Sequence, residues 1–212
     1  MNEILWFAVI GWILGRSMHR MANGVLGLGG KVVSTPTRLW ASSLLLAVSF
    51  AGVVWTTLNP WDKVIGCLLF LVLGVAVWTD LSFKVIPNRL TIPAGVHFLG
   101  LSIIKGEGWA SLMSALVCGG FLLLIALLSK GGVGGGDIKL ATAAGAALGF
   151  PSALAGLFSS LFLGGLAAAI FLLIGRVGKG FALPFAPFIL GGFGSSFFVG
   201  EMLVQGYLSF FD

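Results

Sequence analysis

The sequence predicts an all-α integral membrane protein, a polytopic helix bundle of about eight transmembrane segments. Three observations carry that expectation. Hydrophobic residues make up 58% of the 212-residue chain and charged residues only 9%, where a soluble domain has about 25% charged residues. So little charge cannot clothe a water-facing surface of ordinary size. The apolar residues also run continuously and do not alternate as the strands of a lipid-facing barrel would. Inside lipid only helices and closed barrels satisfy every backbone group, so helices remain.

Eight apolar segments follow one another: 4–18, 40–58, 64–79, 90–104, 109–129, 138–150, 153–175 and 185–204. The first has neither a basic leading region nor a small-residue cleavage site, so it reads as a retained helix and not as a removed signal. The sixth holds 13 residues, about 20 Å of helix against a hydrocarbon core of about 30 Å. It is expected to be a half-span helix packed inside the bundle, which leaves seven spans possible. A Gly-rich, basic stretch over about residues 21–39 reads as a loop. No repeat and no linker divides the chain, so residues 1–212 are expected to form a single membrane-embedded domain.

The net charge of +5 does not point to nucleic acid, because the basic residues fall between the apolar runs. They record topology instead. If the segments alternate across the bilayer, ten of the 12 Lys and Arg share one side: Arg16, Arg20, Lys31, Arg38, Lys84, Arg89, Lys130, Lys139, Arg176 and Lys179. Lys63 and Lys105 keep to the other. The positive-inside rule makes the first side cytoplasmic. The acidic residues sort the opposite way. Glu3, Asp62, Glu107, Glu201 and Asp212 fall on the outer side, and only Asp80 and Asp137 fall on the cytoplasmic side.

Asp80 closes the third segment, and Asp137 follows the loop Gly131-Gly132-Val133-Gly134-Gly135-Gly136. Each has a structural reading. Asp80 could pair with Lys84 one helical turn later, and Asp137 could be the N-cap of the sixth segment. The glycine loop does not match a phosphate-binding GxxxxGK[ST], because Asp137 stands at the lysine position. Ionisable residues at membrane depth nevertheless point to function. Two carboxylates a few Å apart share a proton. The ionised one can then take a proton from water while the other polarises a carbonyl, which is general acid–base hydrolysis without a covalent intermediate. Other chemistry finds little support. His19 and His97 have no carboxylate beside them in sequence and read as structural. Cys67 and Cys118 form no CxxC pair and read as buried apolar residues. The ligands for a zinc site are too few, so neither a metal nor another cofactor is expected.

Gly134-Gly135-Gly136-Asp137 fits the GxGD motif of membrane aspartic peptidases, and the wider stretch 132–140 resembles the second active-site segment of the type IV prepilin peptidase family. Asp80 followed by Ile86-Pro87-Asn88 resembles its first active-site segment, and Leu183-Pro184-Phe185-Ala186-Pro187-Phe188 resembles a Pro-Phe-x-Pro stretch near its C-terminus. The presenilin branch fits less well, since Thr79 precedes Asp80 where that branch has Tyr. The resemblance implies that Asp80 and Asp137 are catalytic and that Gly134, Gly135 and Gly136 admit the substrate backbone. Lys84, Pro87, Asn88, Lys139, Pro184 and Pro187 are candidate supporting residues. It further implies a multi-pass protein of the bacterial inner membrane whose active site faces the cytoplasm, with prepilins or pseudopilins as substrate partners cut after a glycine. Longer relatives carry a domain with two CxxC pairs after the first helix and also methylate the new N-terminus. This chain has no cysteine there, so it resembles a short form. A small transporter or channel using both aspartates as a proton or cation relay, and a noncatalytic assembly factor, stay open as alternatives.

Overall fold

The computed structural model describes residues 2–26, 36–56, 59–129, 132–175 and 183–208. Among them the chain forms eight helices: α1 (Asn2–Leu26), α2 (Pro36–Thr56), α3 (Pro60–Phe83), α4 (Asn88–Lys105), α5 (Gly108–Leu128), α6 (Gly135–Leu148), α7 (Ser152–Leu173) and α8 (Ala186–Leu208). By length and composition α3, α5 and α7 are long and apolar enough to cross a membrane. Shorter apolar helical stretches cover Trp40–Thr56 and Ala186–Gly200.

Most segment boundaries agree with the sequence expectation to within a few residues. The first link is the exception. α1 runs on to Leu26 and α2 begins at Pro36, so much of the expected loop over about 21–39 is helical, and residues 27–35 lie outside the described residues. Packing explains the extension. Met18 and Ala22 are fully buried and join a cluster with Leu46, Phe50, Val53, Phe70, Val75 and Trp78, so tertiary contact carries the helix past the basic residues. The start of α2 uses proline where it costs least, in the first turn, whose N–H groups have no intrahelical partner.

α1 lies along α2, α7 along α8, and α6 is held between α4 and α5. The α1–α2 approach is close enough that a side chain on Gly15 would meet the backbone of Ser43, the small-residue packing expected between helices in lipid. α6 has 14 residues, about 21 Å at 1.5 Å per residue, which is too short to span. Its Ala- and Gly-rich body, with Leu140, Ala141, Ala143, Ala144, Gly145 and Ala146 buried, lets α5 pack closely. A side chain on Gly145 would sit 2.9 Å from the Ser114 carbonyl oxygen. The carbonyl of Ala146 lies in the last turn, where no helical donor remains. It instead accepts from Ser111 Oγ at 2.6 Å and from Ser102 Oγ at 3.4 Å.

The two ends of the bundle differ in charge. At one end Lys63 pairs with Glu3 at 3.0 Å, and Lys105 pairs with Asp62 at 2.7 Å and Glu107 at 2.8 Å. Exposed Trp6, Trp55, Trp61 and Trp109 sit in the terminal turns of α1, α2, α3 and α5 at this same end, as an interfacial aromatic belt would. Asp80 and Asp137 belong to the opposite end.

Candidate active site

Asp80 lies in the last turn of α3, and only 6% of its surface is exposed. The helix stops one turn later because Lys84 adopts a left-handed conformation, φ 53° and ψ 36°, and donates its N–H to the Asp80 carbonyl. Such a backbone costs a non-glycine residue roughly 1–2 kcal/mol, and it swings the chain back into Pro87 and α4. The Asp80 carboxylate reaches across the bundle to the start of α8. Its Oδ2 accepts from the Ala186 N–H at 3.0 Å, and the Phe185 N–H also faces it. These are orphan donors at a helix N-terminus, where a negative charge is stabilised. The Pro184–Pro187 stretch therefore serves as the socket for Asp80. Pro187 lies in the first turn of α8 and removes a donor that would otherwise lack a partner.

Asp137 stands three residues after Gly134, the N-cap of α6. The N-cap expectation is thus displaced by one turn: Asp137 is the third residue of the helix, and its carboxylate turns back over the Gly134 N–H, half of a capping box. Gly135 and Gly136 belong to the first turn of α6 and not to a loop. Asp137 Oδ1 is buried and has no hydrogen-bond partner, an arrangement that costs about 1–3 kcal/mol for a neutral group and more for a charged one. A shared proton or an incoming substrate group would satisfy it.

The structure brings the two carboxylates together. Asp80 and Asp137 line one cavity of about 850 Å³, together with Lys84, Gly132, Val133, Gly134, Pro184, Phe185 and residues of α7. The charge of Asp80 acts on Asp137. Lys84 acts on Asp80 through its charge, but it does not form the expected ion pair with it. Among the described residues the ion pairs within 4.0 Å all lie at the other end of the bundle. Two carboxylates in one cavity, Asp80 buried and anchored by backbone donors and Asp137 half-buried with an unpartnered oxygen, have the inventory for general acid–base attack of water on a peptide carbonyl.

The remaining candidate residues divide. Lys84, Gly134 and Pro184 line the cavity, whereas Gly135, Gly136, Pro87, Asn88, Lys139 and Pro187 do not. They still tie its walls together. Lys139 Nζ donates to Asn88 Oδ1 at 2.8 Å, and a side chain on Gly136 would lie 2.9 Å from Ile86 Cβ. The first turn of α6 is thereby pressed against the α3–α4 connection. The sequence reading missed the α7 wall, Leu161, Gly164, Gly165, Ala168 and Leu172. The Gly164-Gly165 pair inside an apolar helix was the available signal. His97 does not line the cavity, and its Nδ1 lies 2.7 Å from the Pro93 carbonyl oxygen. The His19 side chain, Lys130 and Gly131 lie outside the described residues.

Residues 67–203 match the type IV leader peptidase family. The prepilin leader peptidase/N-methyltransferase of Bacillus subtilis is 34% identical over 173 residues, which cover 79% of this chain and 68% of that protein. The protein of the same name from Xanthomonas campestris is 29% identical over 208 residues, 90% of this chain and 68% of the relative. The one from Neisseria gonorrhoeae is 33% identical over 176 residues, 76% of this chain and 58% of the relative. No solved structure matches the chain. On the family match and the Bacillus relative, this integral membrane protein is a peptidase that belongs to the type IV leader peptidase family.

Proposed function

We propose that the chain is an aspartic endopeptidase that removes the basic leader from prepilin or pseudopilin precursors at the cytoplasmic membrane face. Asp80 and Asp137 act as its catalytic pair. The observation that carries this reading is the shared cavity, in which two segments 57 residues apart in sequence contribute one carboxylate each. Asp80, held by the Phe185 and Ala186 N–H groups, is suited to be the ionised base that activates water. Asp137, with its unpartnered oxygen, is suited to hold the proton and polarise the scissile carbonyl. The names of the relatives supply the substrate class. Cleavage after glycine is part of this reading, because the scissile bond would extend beside Gly134 at the rim of the cavity, next to the Asp137 carboxylate. A small residue before the scissile bond fits there. Purified protein mixed with a synthetic or co-expressed prepilin should convert it to a shorter band, and glycine-to-leucine at the cut should abolish conversion. A transporter or scaffold would give no shorter band.

The reading is cleavage without methylation, because the stretch between α1 and α2 carries no cysteine with which to build the zinc-type site of two CxxC pairs. Mass spectrometry of the mature product should show an unmodified N-terminus. A product heavier by one methyl group, formed with this chain as the sole enzyme, overturns that part of the reading.

A further inference from the structure

The cavity that holds the carboxylates has a wall the proposed chemistry does not use. Leu161, Gly165, Ala168 and Leu172 of α7 line it. Their spacing of four, three and four residues sets them in one stripe along the helix. The charged residues Asp80, Lys84 and Asp137 line the same cavity as this apolar stripe. Exposed positions of α7 outside the stripe include the large Phe162, Leu166 and Leu173, 71%, 50% and 85% exposed, beside the small Ala169.

The two adjacent glycines have different explanations. Gly164 is buried, and any side chain there would collide with the Phe185 ring, so internal packing accounts for it. Gly165 is exposed, and a side chain built on it would meet no heavy atom within 4 Å. Nothing in the protein's own packing needs a glycine at 165. In lipid, small residues on a helix face admit the close approach of a second helix. Here that face opens into the space that also holds both aspartates.

We infer that the stripe Gly165–Ala168–Leu172 is the docking face for the apolar segment of the substrate, which lies against α7 while the polar leader crosses the carboxylates. The inference rests on the peptidase reading. The occupant follows from the cavity itself. It is continuous with the carboxylates, and a lining that combines charged residues with an apolar stripe matches a precursor that is basic before the cut and apolar after it. A soluble polar substrate would leave the α7 stripe without a partner.

The test compares two substrates: a full-length prepilin in proteoliposomes, and a soluble peptide that ends a few residues after the cut. Gly165→Leu fills the stripe without displacing an internal neighbour. It should raise KM for the full-length substrate about tenfold relative to KM for the short peptide. Phe162→Ala, on the lipid-facing side, should leave that ratio at its original value. An unchanged ratio in Gly165→Leu overturns the docking face, as does an equal loss on both substrates. If Gly165→Leu does not fold, a photo-cross-linking residue at Ala168 replaces it. It should capture the prepilin through its apolar segment, with Phe162 as the control position, and equal capture at both positions refutes the assignment. Failure of the underlying reading is separable: the unaltered protein would then cleave neither substrate, whatever position 168 captures.

Discussion

Asp80 and Asp137 differ in what holds them, and this makes the residue scale testable. Asp80→Asn keeps an oxygen that can accept from the Ala186 N–H, and Asp137→Asn keeps one that can face Gly134. Each substitution therefore preserves size and helix-end bonding while removing acid–base capacity. Each should reduce prepilin cleavage to near background, and the double variant should be no worse, because residues that act as a unit are not additive. Asp62→Asn and Glu107→Gln sit in the ion-pair cluster at the far end and should cleave normally. A purely capping role for Asp137 forecasts retained activity in Asp137→Asn, since Asn serves helix N-termini about as well. A band-shift assay on folded, purified variants decides between the two. Both aspartates were legible in the sequence because they are the acidic residues that break the charge sorting, and each sits beside a recognisable motif. Their partners were legible only as a stretch, Leu183 to Phe188, and not as atoms. The donors that anchor Asp80 are backbone N–H groups more than 100 residues away, which no side-chain pattern announces.

At the scale of the element, the position of α6 determines where Asp137 sits, and four contacts fix that position. At its N-terminal end Gly136 abuts Ile86 and Lys139 bonds Asn88. At its C-terminal end Ser111 and Ser102 satisfy the Ala146 carbonyl. Gly136→Val would press two methyl groups into Ile86 and the α3–α4 connection. Overpacking of this kind costs about 1–3 kcal/mol, and the strain falls on the turn that carries Asp137. Cleavage should drop by at least an order of magnitude, with a smaller effect on thermal stability; full activity would show that the close approach is dispensable. Ser111→Ala strips the shorter of the two bonds from Ala146 and leaves a carbonyl underbonded where water is scarce. A loss of about 1–3 kcal/mol is expected, read as a lowered melting temperature in detergent. The shortness of α6 was legible from its apolar run. Its end contacts were not, because serine and glycine are common in this chain and only the fold selects the ones that meet. The extension of α1 to Leu26 was hidden for a similar reason: basic residues signalled a membrane boundary, and helices do not have to stop where the bilayer does.

For the whole molecule, orientation in the membrane rests on charge and aromatic placement together. Ten of the 12 basic residues fall on the side of Asp80 if the segments alternate. The three ion pairs gather Glu3, Asp62, Lys63, Lys105 and Glu107 at the other end, so the folded chain keeps the sorting that the sequence implied. The ion pairs themselves contribute little to stability where they are exposed; their value here is as markers of one membrane face. Positive charge is retained on the cytoplasmic side during insertion, which would put the dyad cavity inside and Asn59 and Gly106 outside. In a background with Cys67 and Cys118 replaced, single cysteines at Asn59 and Gly106 should react with an impermeant thiol reagent added to intact cells. A cysteine at Ser82, two residues past Asp80, should react only after the membrane is opened. Asn59 and Gly106 are both exposed in the bundle, so burial would not account for failed labelling there. Labelling at position 82 from outside, with silence at 59 and 106, would invert the protein in the membrane. The carboxylates would then face away from the compartment in which a basic leader is held, and the cavity could not serve that substrate.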